Sequence, residues 1–588
     1  MAQLIYLQSF LAFPPRPKIF ISQTKIPHKA HNNNAWLQLN NPLEKSFAEK
    51  GFIHALNSSS SSNKIIISDL KIEELGVETP ARKVKILKEL LTETRDDLCL
   101  ECLEIIDAAQ RLGIDNQFEE EIEDVLKRQY ALINAYHFDG DVDLHKAALL
   151  FRLLRQQRYL VSQDVFKVFL NEKGKFKEKL KADLNGMTSL YEASQLRIHG
   201  DDILEEAEDF SSHCLNNWAK RIDNQSSASF VMNTLAHPHH RSVAQFMVPN
   251  YFGDKPWTNK WLNLLQDVGR TNFITTQTLR QHEIALFLKW WEETGLAKEL
   301  NFARNQPIQR YLGSVLCLPD PCYSEQRLQL AKSMSLIYVI DDIFDVHGTL
   351  DQLRLFTQAV IRILLCTCRW DMDAVESLPN SMQLCFKCLL EVTNELSLKV
   401  YKKHGWNPVG SLRKTWVKLC KAFLLEAEWL SCGHSPSAEE YLRNGVVSSG
   451  VDAILVHTFF LLGQQVNNRT VELLDNDSDI VLSSGMILRL WDDMGNAKDE
   501  KQMGRDGSYA EYYMKEHPNI SSEATQQHIK KKISEAWKTL NTEHLFSNIF
   551  PTSFTQASLN IARAVPLAYN YGRNQSIMTV EKLMEQYC

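Results

Sequence analysis

Three aspartates stand near the end of a hydrophobic segment of the chain. The segment from Glu325 to Val346 is apolar on nearly every side, and it carries Asp341, Asp342 and Asp345 close to its end. Asp341 and Asp345 are four residues apart, so on a helix their oxygens share a face and can converge on a hard cation such as Mg²⁺. Carboxylates near the carboxyl end of a helix oppose its macrodipole, and no Lys or Arg stands nearby in the sequence. The pattern predicts a functional site, although a solvated acidic cap on an ordinary helix is the other interpretation.

A second polar group lies further along the chain. Arg489, Asp492, Asn496 and Glu500 fall on one arc of a helix, whereas apolar side chains such as Leu490 occupy the adjoining arc. An amphipathic helix with one solvated face also explains this group when it is taken alone. Two acidic helices that face each other would repel unless divalent ions lay between them. Since Mg²⁺ commonly joins carboxylates to substrate phosphates, the two groups together predict a diphosphate substrate.

Two arginines are candidates for binding that diphosphate. Arg304 lies in the sequence Phe-Ala-Arg-Asn-Gln, and Arg489 precedes Asp492 by one helical turn. The planar donor fork of arginine suits recognition of phosphate oxygens. Either arginine could instead form an ordinary surface ion pair.

Composition and motifs exclude several other classes of protein. The 588 residues are 44% hydrophobic and 23% charged, with a net charge of -7, so the chain lacks the basic excess of a nucleic-acid-binding protein. The sequence contains no P-loop, no His-Glu-x-x-His and no Gly-x-Ser-x-Gly. The scattered cysteines are interpreted as reduced thiols of an intracellular protein, and the three histidines between 237 and 240 lack the cysteine partners of a tetrahedral metal site. The longest apolar stretches are shorter than the ~18 residues that a membrane helix needs, so no membrane span is predicted.

The first 63 residues differ in composition from the rest of the chain. Residues 1–43 contain Arg16, Lys18, Lys25 and Lys29 but no acidic residue, and a run of serines from Ser58 to Ser62 follows. This composition is typical of an organelle transit peptide, and a disordered leader without an address is the alternative. Residues 1–63 are therefore predicted to be a leader.

The remainder of the chain shows the periodicity of helices. Apolar residues recur at helical spacing, as in Leu149, Leu150, Leu153 and Leu154, whereas alternating strand patterns are rare and short. The sequence therefore predicts an all-α protein. Loop-forming residues around 251–259 place a domain boundary near 255, which gives domains at 64–255 and 256–588.

With these motifs the sequence resembles the plant class I terpene synthases. The resemblance covers nearly everything after the leader, and within the family it is greatest to the branch that makes acyclic alcohols, the linalool and nerolidol synthases. It is carried by Asp341-Asp342-Ile343-Phe344-Asp345, by the triad Asp492, Asn496 and Glu500, by Ala303-Arg304-Asn305-Gln306-Pro307, by Leu288-Lys289-Trp290-Trp291, by Val447-Ser448-Ser449-Gly450, and by the absence of an Arg-Arg pair.

The resemblance implies a class I α-helical catalytic domain at 256–588, preceded by a catalytically silent relic helical domain. It implies three Mg²⁺ ions, with Mn²⁺ as a possible substitute, on ligands that comprise Asp341, Asp345, Asp492, Asn496 and Glu500, supported by Asp342. It also assigns catalysis to Arg304, Asp341, Asp345 and Arg489, and substrate binding to these four residues together with Asp492.

The expected reaction is metal-assisted ionisation of geranyl diphosphate followed by water capture to give linalool. The alternatives are a nerolidol synthase that uses farnesyl diphosphate, an enzyme that uses both substrates, and an inactive paralogue. The protein is expected to be a monomer in the plastid, with the cytoplasm as the alternative compartment.

Three departures from the family pattern bear on activity. Position 496 is Asn where the family usually has Ser or Thr, which weakens the case for the third metal ion. Position 306 is Gln rather than a second Arg, as in the acyclic branch. Residues near 361–367 make the segment after Val360 longer by about two helical turns. If these extra residues disturb packing beside the aspartate-rich helix, activity would be lost.

Overall fold

Helices follow one another along almost all of the chain that the computed structural model describes. The described residues are 79–93, 100–135, 143–221, 225–248, 260–300, 302–365, 373–496 and 507–568. Within these ranges the only extended pairing is an isolated bridge between Leu170 and Phe176. The prediction of an all-α protein is confirmed. The predicted leader, residues 1–63, lies outside the described residues.

Eight α-helices lie within the described residues before position 249. They are α1 Pro80–Glu93, α2 Leu100–Arg111, α3 Glu119–Ala135, α4 Leu144–Gln156, α5 Leu184–Ser194, α6 Asp202–Ala219, α7 Gln225–Ala236 and α8 Ala244–Met247. Contacts divide the chain after Lys85. The unit that ends there contributes the first turns of α1, and the other helices belong to the unit that continues from Ile86. The predicted boundary near 255 falls in residues 249–259, outside the described residues, so the division into 64–255 and 256–588 stays a prediction.

Fifteen α-helices follow in the described part of the chain after residue 259. They are α9 Lys260–Glu293, α10 Leu296–Glu299, α11 Pro307–Cys317, α12 Ser324–Asp342, α13 Leu350–Leu365, α14 Asp373–Glu376, α15 Asn380–His404, α16 Val409–Cys432, α17 Ala438–Ser448, α18 Val451–Leu462, α19 Asn468–Asp475, α20 Asp479–Asn496, α21 Tyr509–Glu516, α22 Ser522–Leu545 and α23 Thr552–Ala568. A π-helical turn, Ile343–His347, continues directly from α12.

Helices α12 and α18 form the centre of the core. They pack against each other, while α11 and α15 cover α12, and α16, α20 and α23 cover α18. Every residue of α18 is buried, and all except Asp452, His457 and Thr458 are apolar, as expected for a helix enclosed by others. The stretch Ala438–Leu462 is long and apolar enough to cross a membrane, yet 94% of its apolar window is buried within the fold. Its hydrophobicity is therefore accounted for by its place in the core.

A left-handed glycine separates α17 from α18. Gly450 has a φ of +74°, and a Cβ atom at this position would lie 2.9 Å from Cγ2 of Ile337. Ile337 belongs to α12 and precedes Asp341 by one turn. Glycine therefore meets two requirements here, the backbone conformation and the close approach of the helix break to α12.

Helix α22 joins the second half of the chain to the first. The Asn541 side chain is fully buried, and its Nδ2 donates to the carbonyls of Gln195 and Arg197 at 3.1 and 2.9 Å. Its Oδ1 lies 2.9 Å from Nε2 of His240, so one of the histidines considered above as a metal ligand contacts an amide. Since α22 also packs against α20, these bonds connect the earlier helices to the helix that carries Arg489 and Asp492.

The extra residues near 361–367 begin inside a regular helix. Helix α13 continues to Leu365, so positions 361–365 extend it, and residues 366–372 lie outside the described part of the chain. Phe356 and Val360, on the preceding turns of α13, are buried in the core. Whether the longer segment disturbs packing next to the aspartate-rich helix stays a prediction.

Replacing Ser437 by Ala is expected to lower the free energy of unfolding by about 1 kcal/mol. Ser437 caps α17: its Oγ accepts from the backbone N–H of Glu440 at 3.2 Å, and the Glu440 side chain accepts from the Ser437 N–H at 2.9 Å. Urea denaturation followed by circular dichroism measures the change. Ser435→Ala, an exposed serine just before the helix, is the matched control and is expected to leave the midpoint unchanged. Equal effects of the two substitutions would contradict the capping role.

Candidate active site

The aspartates at the end of α12 are buried inside the protein. Asp341 and Asp342 are 1% and 3% exposed, and Asp345 lies half-buried on the π-helical turn that follows. Because α12 is enclosed by other helices, its carboxyl end delivers these side chains into the interior. A solvated acidic cap is therefore not what the structure shows. Burial of three carboxylates in one place needs compensation by positive charge.

Arg304 supplies that compensation from a loop ahead of α11. Its Nη2 donates to Oδ2 of Asp341 at 2.7 Å, its Nε lies 2.5 Å from Oδ1 of Asp342, and its backbone N–H donates to Oδ2 of Asp342 at 3.0 Å. One arginine thus bridges both aspartates. The sequence predicted that Arg304 and the aspartates belong to one site, and the structure brings them into contact.

The loop that carries Arg304 is held by its neighbours. Arg310 donates through Nη2 to the Arg304 carbonyl, and its guanidinium lies over the rings of Trp291 and Tyr338, 5.0 and 5.4 Å from their centroids. Trp291 in turn donates through Nε1 to Oδ1 of Asn305 at 2.9 Å. Arg310 is 4% exposed, and burial lowers its pKa to about 10. The backbone around Arg304 is therefore fixed by Arg310 and Trp291 as well as by Asp342.

Helix α20 carries the second polar group. Arg489 and Asp492 are each 1% exposed, and Nη1 of Arg489 lies 3.8 Å from Oδ2 of Asp492. The described part of the helix reaches Asn496. The side chain of Asn496 and the whole of Glu500 lie outside the described residues, so their predicted places in the site are not tested.

Asp493, which the sequence reading passed over, occupies a central position beside Arg489. Its Oδ1 accepts from the Tyr441 hydroxyl at 3.1 Å and lies 3.0 Å from Nη2 of Arg489. Its Oδ2 accepts from the backbone N–H of Tyr509 at 2.7 Å. Asp493 is 3% exposed, and burial raises its pKa to about 6 although the guanidinium of Arg489 opposes the increase. Both carboxylate oxygens are engaged by protein donors.

Both polar groups influence the side chain of Tyr338 on α12. Burial raises the pKa of Tyr338, and the carboxylates of Asp341 and Asp492 both add to this increase. Glu426 on α16 likewise contributes to the raised pKa values of Asp345 and Asp493. Charges on α12 and α20 thus act on the same tyrosine, and the prediction that the two polar groups form one site stays a prediction.

The aspartates of α12 fit a hard divalent cation. Burial, together with the neighbouring carboxylates, raises the pKa of Asp341 well above its usual range and that of Asp345 to about 6. Oδ2 of Asp345 is buried and has no hydrogen-bond partner among the described residues. A cation would satisfy this oxygen and offset the repulsion between the carboxylates.

The described residues do not by themselves form a complete coordination shell. Within the ranges that the structure covers, no three Asp, Glu, His or Cys side chains are grouped as a ready cation site. Mg²⁺ usually takes only one or two carboxylates and completes its octahedron with water and substrate oxygens. The arrangement is therefore suited to a metal that binds together with a phosphate-bearing substrate.

Three contacts of the site could not have been found from the sequence. They are made by Tyr441, Asp493 and Arg310. None of these residues belongs to a motif that the sequence analysis identified, although Asp493 directly follows Asp492. Tyr441 lies on α17 and reaches Arg489 only because α17 packs against α20. Gly445, one turn after Tyr441, supports this approach, since a Cβ there would lie 2.9 Å from Nε of Arg489.

Comparison with known proteins gives consistent matches over most of the chain. The profile of the terpene synthase N-terminal domain matches residues 49–235, and that of the terpene synthase family metal binding domain matches residues 292–539. An (E)-nerolidol synthase of Cannabis sativa is 45% identical over 90% of this chain and 96% of its own length. A chloroplastic S-(+)-linalool synthase of Arabidopsis thaliana is 42% identical over 84% of this chain and 85% of its own.

A solved structure shows the same fold with a ligand bound. Isoprene synthase from grey poplar leaves (Populus x canescens), in complex with three Mg²⁺ ions and dimethylallyl-S-thiolodiphosphate, superposes with a TM-score of 0.79 at 32% identity. The match covers 86% of this chain and 95% of that structure.

Proposed function

The chain belongs to the terpene synthase family and is an enzyme, a lyase that acts on prenyl diphosphates, and we propose that it converts geranyl diphosphate into an acyclic alcohol such as linalool. One observation carries the proposal. The buried aspartates of α12 are bridged by Arg304, and α20 carries a second buried pair of opposite charge, Arg489 and Asp492. Two acidic groups with one arginine each are suited to hold a diphosphate together with divalent cations.

The metal ligands are proposed as the sequence assigned them. They are Asp341 and Asp345 on α12 and its π-helical turn, and Asp492, Asn496 and Glu500 on and after α20. When bound, Mg²⁺ supplies electrophilic assistance to the departing diphosphate. Asp342, whose two oxygens are engaged by Arg304, supports the site by keeping that arginine in place. The relative with three Mg²⁺ ions supports the number of ions proposed here.

The two arginines are proposed to bind the diphosphate. Nε and Nη1 of Arg489 are buried and have no hydrogen-bond partner among the described residues, so they are free to donate to phosphate oxygens. Arg304 already lies across two carboxylates and can share its donors with a phosphate that approaches the same face. Such charge-assisted bonds strengthen as charge develops on the leaving group.

The reaction is proposed to proceed by ionisation and water capture. The bond between C1 and the diphosphate oxygen breaks, and the electron pair leaves with the diphosphate. The oxygen of a water molecule then bonds to the internal allylic carbon of the cation and loses a proton, which gives linalool and inorganic diphosphate. Farnesyl diphosphate would give nerolidol by the same steps. The likeness to named linalool and nerolidol synthases supports both products.

The sequence around Arg304 supports an acyclic product. Gln306 stands where a second arginine occurs in many members of the family, and the chain carries no Arg-Arg pair, as in the acyclic branch. The composition of residues 1–63 and the chloroplastic relative support a plastid location, where the ten-carbon substrate is favoured. We also propose a catalytic domain at 256–588 and a domain without catalytic function at 64–255. The protein is proposed to be a monomer.

Analysis of volatile products from the purified protein is expected to show one main acyclic alcohol. The protein is supplied with Mg²⁺ and, in separate reactions, with geranyl, farnesyl and geranylgeranyl diphosphate, and the products are separated by gas chromatography and identified by mass spectrometry. Linalool from geranyl diphosphate would support the proposal, whereas nerolidol alone would favour the alternative substrate. Mainly cyclic products would contradict the assignment to the acyclic branch. No product from folded protein would favour an inactive paralogue, and activity gained by deleting residues 361–367 would locate the cause.

A further inference from the structure

We propose that Tyr441 and Asp493 are positioning residues for Arg489, and that they hold its guanidinium in the orientation that binds diphosphate. This inference rests on the proposed function, which assigns diphosphate binding to Arg489. It concerns two residues that carry no metal or substrate role in that proposal.

One nitrogen of Arg489 is fixed by two partners. Nη2 donates to the Tyr441 hydroxyl oxygen and lies 3.0 Å from Oδ1 of Asp493. The Tyr441 hydroxyl uses its own proton to donate to the same Oδ1 at 3.1 Å. The three groups therefore form a closed triangle of polar contacts. Since a guanidinium is planar, fixing Nη2 at two points also fixes the directions of its other N–H bonds.

The remaining donors of Arg489 are the ones left for a ligand. Nε and Nη1 are buried and have no hydrogen-bond partner in the described part of the chain, while the residue is only 1% exposed. Buried donors without partners cost free energy, so their retention points to an acceptor that arrives with the substrate. Nη1 lies 3.8 Å from Oδ2 of Asp492, on the side of the proposed metal ligand.

Packing keeps the arginine against Tyr441. The guanidinium carbon lies 4.8 Å from the centroid of the Tyr441 ring, within range of a cation–π interaction. Gly445 lies on the next turn of α17, where a Cβ would come within 2.9 Å of Nε of Arg489. Helix α17 thus places the ring and hydroxyl of Tyr441, and the space left by Gly445, next to the side chain of Arg489. Such agreement between three features favours a specific seat for Arg489 over incidental core packing.

Both carboxylate oxygens of Asp493 contact protein donors. Oδ1 serves Tyr441 and Arg489, and Oδ2 accepts from the backbone N–H of Tyr509 at the start of α21. The carboxylate supplies the charge that keeps a buried guanidinium stable when no diphosphate is bound. Asp492 faces the metal side of the helix, whereas Asp493 faces the arginine.

Tyr441→Phe tests the inference, because it removes the hydroxyl and leaves the ring. The full-length protein is titrated calorimetrically with inorganic diphosphate at a fixed Mg²⁺ concentration, and the dissociation constant is compared among wild type, Tyr441→Phe, Arg489→Met and the double variant. Tyr441→Phe is expected to weaken diphosphate binding about tenfold, as loss of a hydrogen bond to a charged group does. Tyr401→Phe removes a hydroxyl from a tyrosine that is 57% exposed on α15, and it is expected to bind as wild type does.

The double variant separates positioning from a structural effect. If Tyr441 acts through Arg489, adding Tyr441→Phe to Arg489→Met is expected to cause no further loss of binding. Steady-state kinetics with the prenyl substrate would then show a higher KM for Tyr441→Phe with a melting temperature close to that of wild type. Losses that multiply in the double variant, or an unchanged dissociation constant in a folded Tyr441→Phe, would overturn the inference.

The same titrations distinguish failure of this inference from failure of the proposed function. If wild type does not bind inorganic diphosphate with Mg²⁺, the proposed function fails and this inference with it. If Arg489→Met binds diphosphate as tightly as wild type, Arg489 does not bind diphosphate. The inference that Tyr441 and Asp493 position it for that binding then fails too. If Arg489→Met weakens binding and Tyr441→Phe does not, the positioning of Arg489 by Tyr441 is overturned, while the assignment of Arg489 stands.

Discussion

Replacing Asp341 by Asn is expected to lower kcat/KM for the prenyl diphosphate about a thousandfold, because loss of a metal ligand removes several kcal/mol of stabilisation from the ionising transition state. The substitution preserves the shape of the side chain and one oxygen, so Arg304 keeps a partner for Nη2. It removes the negative charge that is proposed to hold a cation at the buried end of α12. Product release is measured by gas chromatography over a range of Mg²⁺ concentrations.

The stability of this variant separates loss of chemistry from loss of fold. The Asp341 carboxylate is 1% exposed, and this burial raises its pKa. The neighbouring carboxylates of Asp345 and Asp342 add to the increase. A neutral amide relieves that repulsion, so the melting temperature is not expected to fall. Asp351→Asn is the matched control, since its carboxylate is 93% exposed on α13 and lies 3.6 Å from Nη1 of Arg354 at the surface. Turnover by Asp341→Asn equal to that of the control would contradict the metal role.

The parts of the fold that depend on local pattern could be predicted from the sequence. An all-α chain follows from the helical spacing of apolar residues, and α12 could be recognised because its sequence is apolar on nearly every side before the aspartates begin. The unfavourable placement of these aspartates against the helix dipole also marked this helix end as unusual, and Asp341 and Asp342 are buried there. Local sequence was informative here because the signal lies within one helix.

The compensating charges could not be derived in the same way. No basic residue near the aspartates in sequence balances them, yet Arg304 reaches Asp341 and Asp342 from a loop that precedes α11. The motif around Arg304 suggested diphosphate binding, but its pairing with the aspartates depends on how α11 packs against α12. Contacts of this kind are set by tertiary structure, and no spacing rule encodes them.

Asp493 shows the same limit at the scale of one residue. Asp492 and Asp493 are adjacent on α20, have identical side chains and are similarly buried. Helical geometry nevertheless points them in directions about 100° apart. One faces the proposed metal side, while the other accepts from Tyr441 and from the backbone of Tyr509. The sequence could indicate that the two differ in direction. It could not indicate that Tyr441, on another helix, completes the arrangement.

Replacing Arg327 by Met is expected to lower the free energy of unfolding by about 3–5 kcal/mol, because it leaves the carboxylate of Glu283 buried without a counter-charge. Arg327 lies near the beginning of α12 and is fully buried. Its Nη2 and Nε donate to Glu283 on α9 at 2.6 and 2.9 Å, and its Nη1 donates to the Leu318 carbonyl at 2.9 Å. The Tyr311 hydroxyl donates to the same carboxylate at 2.6 Å.

Urea denaturation measured by circular dichroism and tryptophan fluorescence gives the loss of stability, and Arg354→Met is the control for an exposed ion pair. Arg354 contacts Glu428 at 2.9 Å with both side chains more than a third exposed, so its loss is expected to cost less than about 1 kcal/mol. The double variant Glu283→Gln with Arg327→Met is expected to recover part of the stability, since no isolated charge is left. This ion pair joins the beginning of α12 to α9, and the aspartates lie at the opposite end of α12. The double variant is therefore expected to regain part of the activity as well as part of the stability. An Arg327→Met protein as stable as the control would show that α12 is held by apolar packing alone.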